Sequence, residues 1–264
     1  MKMLINTVLV FLKNALPALF FIAVTSSLLS PYSVKFHWKV WAIVVGMILA
    51  TLLSQSMSFV AGLFDGMGFE LLSAAVHLML FLLLMVQIIY RNPSVTTNSD
   101  KDHYRMVAYL AGISLVLMLN VGRLLVFLGG YSVLKENFTP VLSGGIIGFG
   151  ISLSSALILL YILRSNFLQY WIKAPLIAIV FMSARQLSEL SLKLIQIDWL
   201  PSGNPVWDSS RWVEDISEAG RFFHALIGYE SAPTISQAIF YCIGIMTPLL
   251  FIYFASRAMK QVKT

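Results

Sequence analysis

Five ionisable side chains lie inside long apolar stretches of the sequence: Lys13, Arg123, Arg185, Glu189 and Lys193. A charge inside hydrocarbon is costly, so such residues usually face a protein interior or a watery cavity and serve a function. Arg185, Glu189 and Lys193 are spaced at i, i+4 and i+8, which places them along one stripe of a helix. Four cations and one carboxylate predict an electropositive interior.

Two arrangements account for these charges. The favoured interpretation is a salt-bridge network between helices, with Glu189 as its hub and with Arg185 and Lys193 on either side. The alternative is a dedicated anion site. Arg123 lies near the outer end of its stretch, and its side chain is expected to snorkel to the membrane interface. Lys13 lies deeper and is expected to need an internal partner.

The rest of the chain is too apolar for a soluble protein. Of its 264 residues, 58% are hydrophobic and 11% are charged, against roughly 25% charged in soluble domains. The Lys and Arg residues are dispersed instead of forming one patch, which argues against nucleic-acid binding. Cys242 is the only cysteine, so an intrachain disulfide is excluded. The sequence contains no catalytic motif, and we expect no enzyme.

Seven apolar runs are each long enough to cross ~30 Å of hydrocarbon. They lie near 4–30, 38–62, 69–90, 106–128, 141–164, 172–196 and 234–256. The sequence therefore predicts an all-α membrane protein with seven transmembrane helices, in which residues 1–264 form a single integral membrane domain. Its predicted partner is the lipid bilayer.

The charges of the connecting loops predict the orientation. One set of loops is rich in Lys and Arg and has few acids: Lys35, Lys39, Arg91, Lys101, Arg105, Arg164, Lys173, Arg257, Lys260 and Lys263. Because cytoplasmic loops carry such an excess, this side is predicted to be cytoplasmic, with the N-terminus outside. The opposite side holds most of the acids, among them Asp65 and Glu70, which could form an outer vestibule that collects cations. Tyr170 and Trp171 fit an aromatic belt.

The connection at 197–233 is the longest and is predicted to be external. Apolar residues recur in it at helical spacing: Trp212, Ile216, Ala219, Phe223 and Leu226. This pattern predicts a short amphipathic helix that lies on the outer membrane surface or caps the bundle. A docking surface for an extracytoplasmic partner is the alternative.

Small residues in the run at 141–164 predict a close helix contact. Gly144-x-x-x-Gly148 would let the backbone of another helix approach. Packing within one chain is the favoured interpretation, and a homodimer face is the alternative.

A short segment before the last run resembles a known family. Gly228-Tyr229-Glu230-Ser231-Ala232-Pro233-Thr234 is similar to the Gly-Tyr-x-x-x-Pro-(Ser/Thr) start of the final helix in the oxidase-dependent iron permeases, which include the bacterial Efe-type transporters. Phe69-Glu70 resembles the family's Phe-Glu-Gly. The resemblance implies two inverted three-helix repeats, about 4–90 and 106–196, followed by a C-terminal helix, in a bacterial inner membrane.

The resemblance also implies where an iron site would stand. The family carries Arg-Glu-Gly-x-Glu in its first and fourth helices, and the matching windows here are Lys13 to Pro17 and Leu119 to Arg123. Asn14 and Asn120 replace the first glutamates, while Pro17 and Arg123 replace the second. Ferric iron prefers anionic oxygen ligands, so the carboxylate iron site is lost in both windows.

These observations leave three functions open. The first is a divergent iron-permease-family protein in iron or other metal ion transport across the inner membrane. The second is a non-transporting membrane subunit or scaffold that holds an anionic group or a protein partner in its electropositive seam. The third is an anion carrier that uses Lys13, Arg123 and Arg185. The sequence specifies neither a cofactor nor a metal ion.

Overall fold

The protein is helical throughout the part of the chain that the computed structural model describes, residues 2–28, 36–89, 98–133, 139–165 and 173–261. These ranges contain no β-strand, only an isolated bridge between Pro205 and Thr234. The helices are α1 (Lys2–Leu28), α2 (Phe36–Gln55), α3 (Met57–Gly62), α4 (Gly68–Ile89), α5 (Asn98–Val133), α6 (Thr139–Arg164), α7 (Ala174–Gln196), α8 (Glu218–Ile227) and α9 (Ile235–Gln261). The all-α prediction is confirmed.

Six of these helices are long and apolar enough to cross a membrane: α1, α2, α4, α5, α6 and α9. A multi-pass membrane protein is therefore confirmed. The helix α7 is not among the six, although its 23 residues would span ~35 Å. Its polar residues, Arg185, Gln186 and Glu189 among them, lower its hydropathy.

The helices divide into an inner and an outer group. About half of the residues in α1, α4 and α5 are buried, against about a fifth in α2, α6 and α9. Apolar side chains such as Ile146 and Leu157 on α6, or Ile48 on α2, are exposed on the outer group. Large exposed apolar faces on helices that can span a bilayer are suited to lipid contact.

The polar helix α7 lies at the centre of this arrangement. It packs against α4 and α9, and also against α1. Arg185, Gln186 and Met182 on α7 are all buried. The helix with the most charge in its middle is thus the one shielded from lipid, as the cost of a charge in hydrocarbon requires.

Glycines set the two closest pairs of parallel helices. On α6, a Cβ built at Gly148 would lie 2.7 Å from the Cβ of Phe11 and 2.9 Å from the carbonyl oxygen of Val8, both on α1. On α2, a Cβ at Gly46 would lie 2.9 Å from the Cβ of Leu117 on α5. The predicted tight packing of Gly144 and Gly148 therefore occurs within the chain, against α1.

Helix ends depart from the prediction in two places. The run at 38–62 is interrupted at Ser56, so that α2 ends and the short α3 follows before a turn with Asp65 in the left-handed region. The helix α5 continues to Val133, which leaves Arg123 farther from the helix end than expected. Three residues used to predict the orientation, Lys35, Arg91 and Lys263, lie outside the described residues, as do Tyr170 and Trp171 of the predicted aromatic belt.

Replacement of Gly148 by alanine is expected to destabilise the bundle. The added methyl group would overlap α1, and overpacking of this kind costs about 1–3 kcal/mol, more than the roughly 0.5–1 kcal/mol that alanine gains over glycine in a helix. The measurement is the thermal midpoint in detergent. Gly150→Ala is the matched control, because no atom lies within 4 Å of a Cβ at Gly150 on the same helix. An equal effect at both positions would contradict the packing argument.

Candidate functional site

The middle of α7 carries a buried ion pair. The Nη2 atom of Arg185 lies 3.4 Å from Oε1 of Glu189, and the two side chains are only 6% and 13% exposed. The i, i+4 spacing on one helix brings them together, as the sequence predicted. A buried pair still leaves donors and acceptors to satisfy, so further partners are needed.

The partner of Glu189 from another helix is His224 on α8. Its Nε2 lies 2.9 Å from Oε1 of Glu189, and Nε of Arg185 donates to the main-chain oxygen of His224 at 3.1 Å. Both members of the α7 ion pair thus bind the same residue. His224 was missed by sequence reasoning, since 35 residues separate it from Glu189 and no local spacing connects them.

The second ring nitrogen of His224 contacts the chain that follows α8. Nδ1 lies 3.3 Å from Oε1 of Glu230 and 3.1 Å from the main-chain oxygen of Tyr229. Arg185, Glu189, His224 and Glu230 form one connected group, which we call the Glu189 cluster, and they line a small cleft. Glu189 is its hub, in agreement with the prediction of a network between helices.

His224 is charged at neutral pH. Burial alone disfavours the imidazolium, but hydrogen bonds to the carboxylates of Glu189 and Glu230 outweigh burial and raise the pKa of His224 to about 9. The Glu189 cluster then contains two cations and two carboxylates and is neutral as a whole.

The helix α8 packs with one face against α1 and α7 and leaves the other face exposed, where a helix on the outer membrane surface or one that caps the bundle was predicted. Its C-terminal Gly228 rests on the middle of α7, and Phe222 meets Phe20 of α1 edge to face at a centroid distance of 5.3 Å. Trp212 and Ile216, predicted on its apolar face, precede the helix and are exposed. Glu189 and Arg185 of α7 bind His224 and so hold α8 against the bundle.

The segment that resembles the iron permeases turns the chain from α8 back into α9. Gly228 adopts φ +73°, and a Cβ there would lie 2.9 Å from Cα of Arg185. Ser231 donates through its N and Oγ atoms to the carboxylate of Asp215 at 2.8 and 2.6 Å. Thr234 and Gln237 cap α9 reciprocally, each side chain accepting from the other's backbone N–H. Each of these contacts stabilises the fold.

The other predicted cations do not join the Glu189 cluster. Arg123 donates from Nη2 to Oγ of Ser73 at 3.0 Å and lies over the ring of Phe69, with 5.7 Å to the centroid, both near the start of α4. Lys193 donates to Oε1 of Gln196 on its own helix at 2.8 Å and not to Glu189. Lys13 is exposed, and the internal partner expected for it is not found among the described residues.

The two asparagines in the iron-site windows are tied to their own helices. Asn14 is 7% exposed and donates to the main-chain oxygen of Val10 at 2.9 Å; Asn120 is 9% exposed and donates to that of Val116 at 2.8 Å. No group of three or more His, Cys, Asp or Glu side chains suited to a metal ion occurs among the described residues.

The two carboxylates of the predicted outer vestibule stand apart from the Glu189 cluster. Asp65 is exposed in the turn before α4. Glu70 lies in the first turn of α4 and is partly buried. It interacts electrostatically with Arg123 and Lys193, so nearby cations offset its charge.

A second buried polar contact joins α4 to α7. Nδ1 of His77 lies 2.8 Å from Oε1 of Gln186, so His77 is a hydrogen-bonded core histidine. Within the described part of the chain, the other nitrogens of both side chains, and both amide atoms of Gln87, are buried without a hydrogen-bond partner. Unsatisfied polar atoms at such depth are costly.

Comparison of the chain with family models, with curated proteins and with solved structures gives no match.

Replacement of Gly228 by alanine is expected to displace α8 from α7. The methyl group would meet the backbone of Arg185, and the backbone conformation is in addition one that favours glycine. Gly203→Ala is the control, since Gly203 also has positive φ (+54°) but no atom within 4 Å of the added Cβ. A larger fall of the thermal midpoint for Gly228→Ala than for Gly203→Ala is expected. Equal falls of the thermal midpoint in the two variants would mean that strain in the backbone conformation, and not the contact with α7, causes the loss of stability.

Stability is expected to decrease as the pH rises through the pKa of His224. The pKa is raised from 6.5 to about 9, so the stabilisation is complete below about pH 6.5 and is lost as the pH rises through about 9. The thermal midpoint should fall by roughly 2–4 °C for each kcal/mol lost. The His224→Gln protein should show a smaller pH-dependent fall over this window, and an unchanged slope would show that His224 is not responsible.

Proposed function

We propose that this chain is a transport protein of the bacterial inner membrane, a divergent relative of the iron permeases that acts in the uptake of iron or another metal ion. It has seven transmembrane helices, with α7 as the sixth to cross and α9 as the last, and its N-terminus is outside. The central position of α7 supports its inclusion, because a helix enclosed by α1, α4 and α9 can carry charge across the bilayer.

The observation that carries this proposal is a repeated helix contact. The Cβ positions of Gly148 and Gly46 meet the same three kinds of atom. Gly148 meets Cα and O of Val8 and Cβ of Phe11 on α1, and Gly46 meets Cα and O of Ser114 and Cβ of Leu117 on α5. The offset in residue number between Val8 and Ser114 is the same as that between Asn14 and Asn120.

The pairing of whole helices follows the same exchange. The helix α1 packs most extensively with α6, and α5 with α2, while α4 packs with α7. Suppose that α1 is exchanged with α5, α2 with α6, and α4 with α7. Each of these three helix pairs then becomes one of the same three pairs. Two such units of three membrane-crossing helices would run in opposite directions, which supports the inverted repeats typical of secondary transporters.

The cargo is proposed from the resemblance of residues 228–234. That segment adjoins the Glu189 cluster, where Glu189, Glu230 and His224 offer oxygen and nitrogen donors beside the centre of α7. Opening of the cluster would be needed before these groups could meet a metal ion, because they are bound to one another and to Arg185.

A second candidate function is a non-transporting subunit that holds an anionic group. Its support is that Lys13, Arg123 and Lys193 have no carboxylate within ion-pair distance among the described residues. Arginine and lysine bind carboxylate and phosphate oxygens well. On this alternative the Glu189 cluster only stabilises the bundle, and the cations hold a lipid phosphate or an acidic group of a partner protein.

Uptake of radioactive iron into proteoliposomes distinguishes the transport function from that of a non-transporting subunit. The transport proposal expects saturable uptake by the unaltered protein and, for Glu189→Gln, a loss of roughly tenfold or more, since one missing ligand or ion-pair partner is worth more than ~1.4 kcal/mol. Glu218→Gln, an exposed residue of α8, is the matched control and should transport normally. Absence of uptake by correctly folded protein would leave the non-transporting subunit as the function.

A further inference from the structure

One stripe of α4 is buried along its whole length and is polar at both ends. Spacings of three and four residues place its members on one face of the helix, and none is more than 5% exposed: Ser73, His77, Leu80, Leu84 and Gln87. His77 contacts Gln186, so this face meets α7. Two leucines therefore separate the polar residues at the start of the stripe from Gln87 near the end of α4.

The helix α7 lies antiparallel to α4. Lys193 in the last turn of α7 interacts electrostatically with Glu70 in the first turn of α4, so these two ends lie together on the predicted outer side. Farther inward, Nδ1 of His77 lies 2.8 Å from Oε1 of Gln186. We call the contact between the two helices along its whole length the α4–α7 interface.

Four apolar side chains close the α4–α7 interface on the inner side of His77. They are at most 1% exposed and belong to one buried cluster: Leu80 and Leu84 on α4, and Ile179 and Met182 on α7. The two leucines follow His77 along α4, and the other two precede Gln186 along the antiparallel α7, so all four lie on the same side of the polar contact. We call these four residues the apolar plug.

The polar residues on both sides of the apolar plug have atoms without a hydrogen-bond partner. Within the described part of the chain these are Nε2 of His77, Nε2 of Gln186 and both amide atoms of Gln87, all of them buried. Such atoms cost free energy wherever neither protein nor water satisfies them. A contact that served packing alone would be better made by apolar residues. The unpartnered atoms therefore indicate a second arrangement, in which water reaches them.

Water is the ligand that fits the pair of His77 and Gln186. Nδ1 of His77 donates to the amide oxygen of Gln186, so a neutral ring keeps a lone pair at Nε2 and the amide nitrogen keeps its two N–H donors. One water molecule can donate to the ring nitrogen and accept from the amide. On the other side of the apolar plug, the amide of Gln87 offers both a donor and an acceptor.

The repeat proposed above relates the two sides of the apolar plug. The offset in residue number between the two glycine contacts also relates Gln87 to Lys193 and Leu80 to Gln186. The inner end of the α4–α7 interface thus corresponds to its outer end, and the plug corresponds to the polar contact. In transporters with inverted repeats, rocking of one repeat against the other opens the two sides in turn. The apolar plug closes the inner side in this structure.

We propose that the α4–α7 interface opens to water and is the permeation path of this protein. The apolar plug closes the path in this structure, and His77 and Gln186 bind the water that enters from the predicted outer side. Passage of iron or another metal ion along the path rests on the transport function proposed above. Opening of the interface to water stands independently of any cargo.

Labelling of single cysteines with a membrane-impermeant methanethiosulfonate reagent tests the path in the full-length protein, in membrane vesicles of both orientations. Cys242 is the only cysteine, so Cys242→Ser provides the background. In that background Leu84→Cys, within the apolar plug, should be labelled, because an open interface admits water and the reagent, and the thiolate that forms in water is the reactive species.

Two further cysteines are the matched controls, and both should stay unlabelled. Ile113 is as deeply buried as the plug but belongs to a separate apolar cluster with Ala42 and Tyr109, so Ile113→Cys shows whether shortening a buried side chain is enough to admit the reagent. Leu82 stands beside Leu84 on α4 but is exposed on the outside of the bundle, so Leu82→Cys shows whether the reagent reaches a thiol that faces lipid.

Replacement of Gln87 by methionine tests the part played by the unpartnered atoms. Methionine is similar in length and removes both amide atoms, so it should stabilise the closed interface. Labelling of Leu84→Cys should then slow by roughly tenfold or more, since each unsatisfied buried atom is costly in the closed arrangement. Gln55→Met, at the exposed end of α2, is the control and should leave the rate unchanged. A higher thermal midpoint for Gln87→Met without slower labelling would show a merely structural role and overturn the proposal.

The remaining outcomes separate the path from the transport function. Helix content shows whether Leu84→Cys is folded, and Leu80→Cys takes its place if it is not. Absence of label in the folded variant, or equal labelling of Ile113→Cys, would overturn the proposal. Labelling of the plug without saturable iron uptake by the unaltered protein would defeat only the transport function. Saturable uptake that continues after complete labelling of Leu84→Cys would defeat only the path.

Discussion

The contact between Glu189 and its two cationic partners is the interaction on which the centre of the bundle depends. Charges removed from water are stabilised only when their remaining donors and acceptors are matched. Arg185 on the same helix supplies one partner of Glu189 at 3.4 Å, and a carboxylate can accept further hydrogen bonds. His224 fills that place, which requires α8 to pack against α7 and the chain to reverse at Gly228. The path of the connection between α7 and α9 is therefore a consequence of the charges on α7.

Close backbone contact holds the helices around this centre. Lipid chains are as apolar as leucine, so helices in a bilayer associate through packing and hydrogen bonds, and small residues allow the approach. Gly46 and Gly148 do this in the two parallel pairs, and Gly244 on α9 lies against Ala184 of α7, with its Cβ position only 2.5 Å from Cα. Each of these glycines leaves no space for a side chain, so the positions of the helices are narrowly set.

The chemistry of the interior differs from that of a carboxylate metal site. Asn14 and Asn120 direct their amide donors to their own helices, and Arg123 binds Ser73 across the contact between α5 and α4. The carboxylate of Glu189 stands instead on α7, where Nε2 of His224 lies 2.9 Å from it.

Much of the secondary structure could be predicted from the sequence by itself. Apolar runs set the helices, the i, i+4 spacing set the Arg185–Glu189 pair, and Gly144 and Gly148 marked a close helix contact, because each of these depends on periodicity along one helix. Tertiary structure alone decided that His224 completes the Glu189 cluster and that Arg123 turns to Ser73. Those partners come from distant parts of the chain, and the choice among them depends on how whole helices pack, which local spacing does not encode.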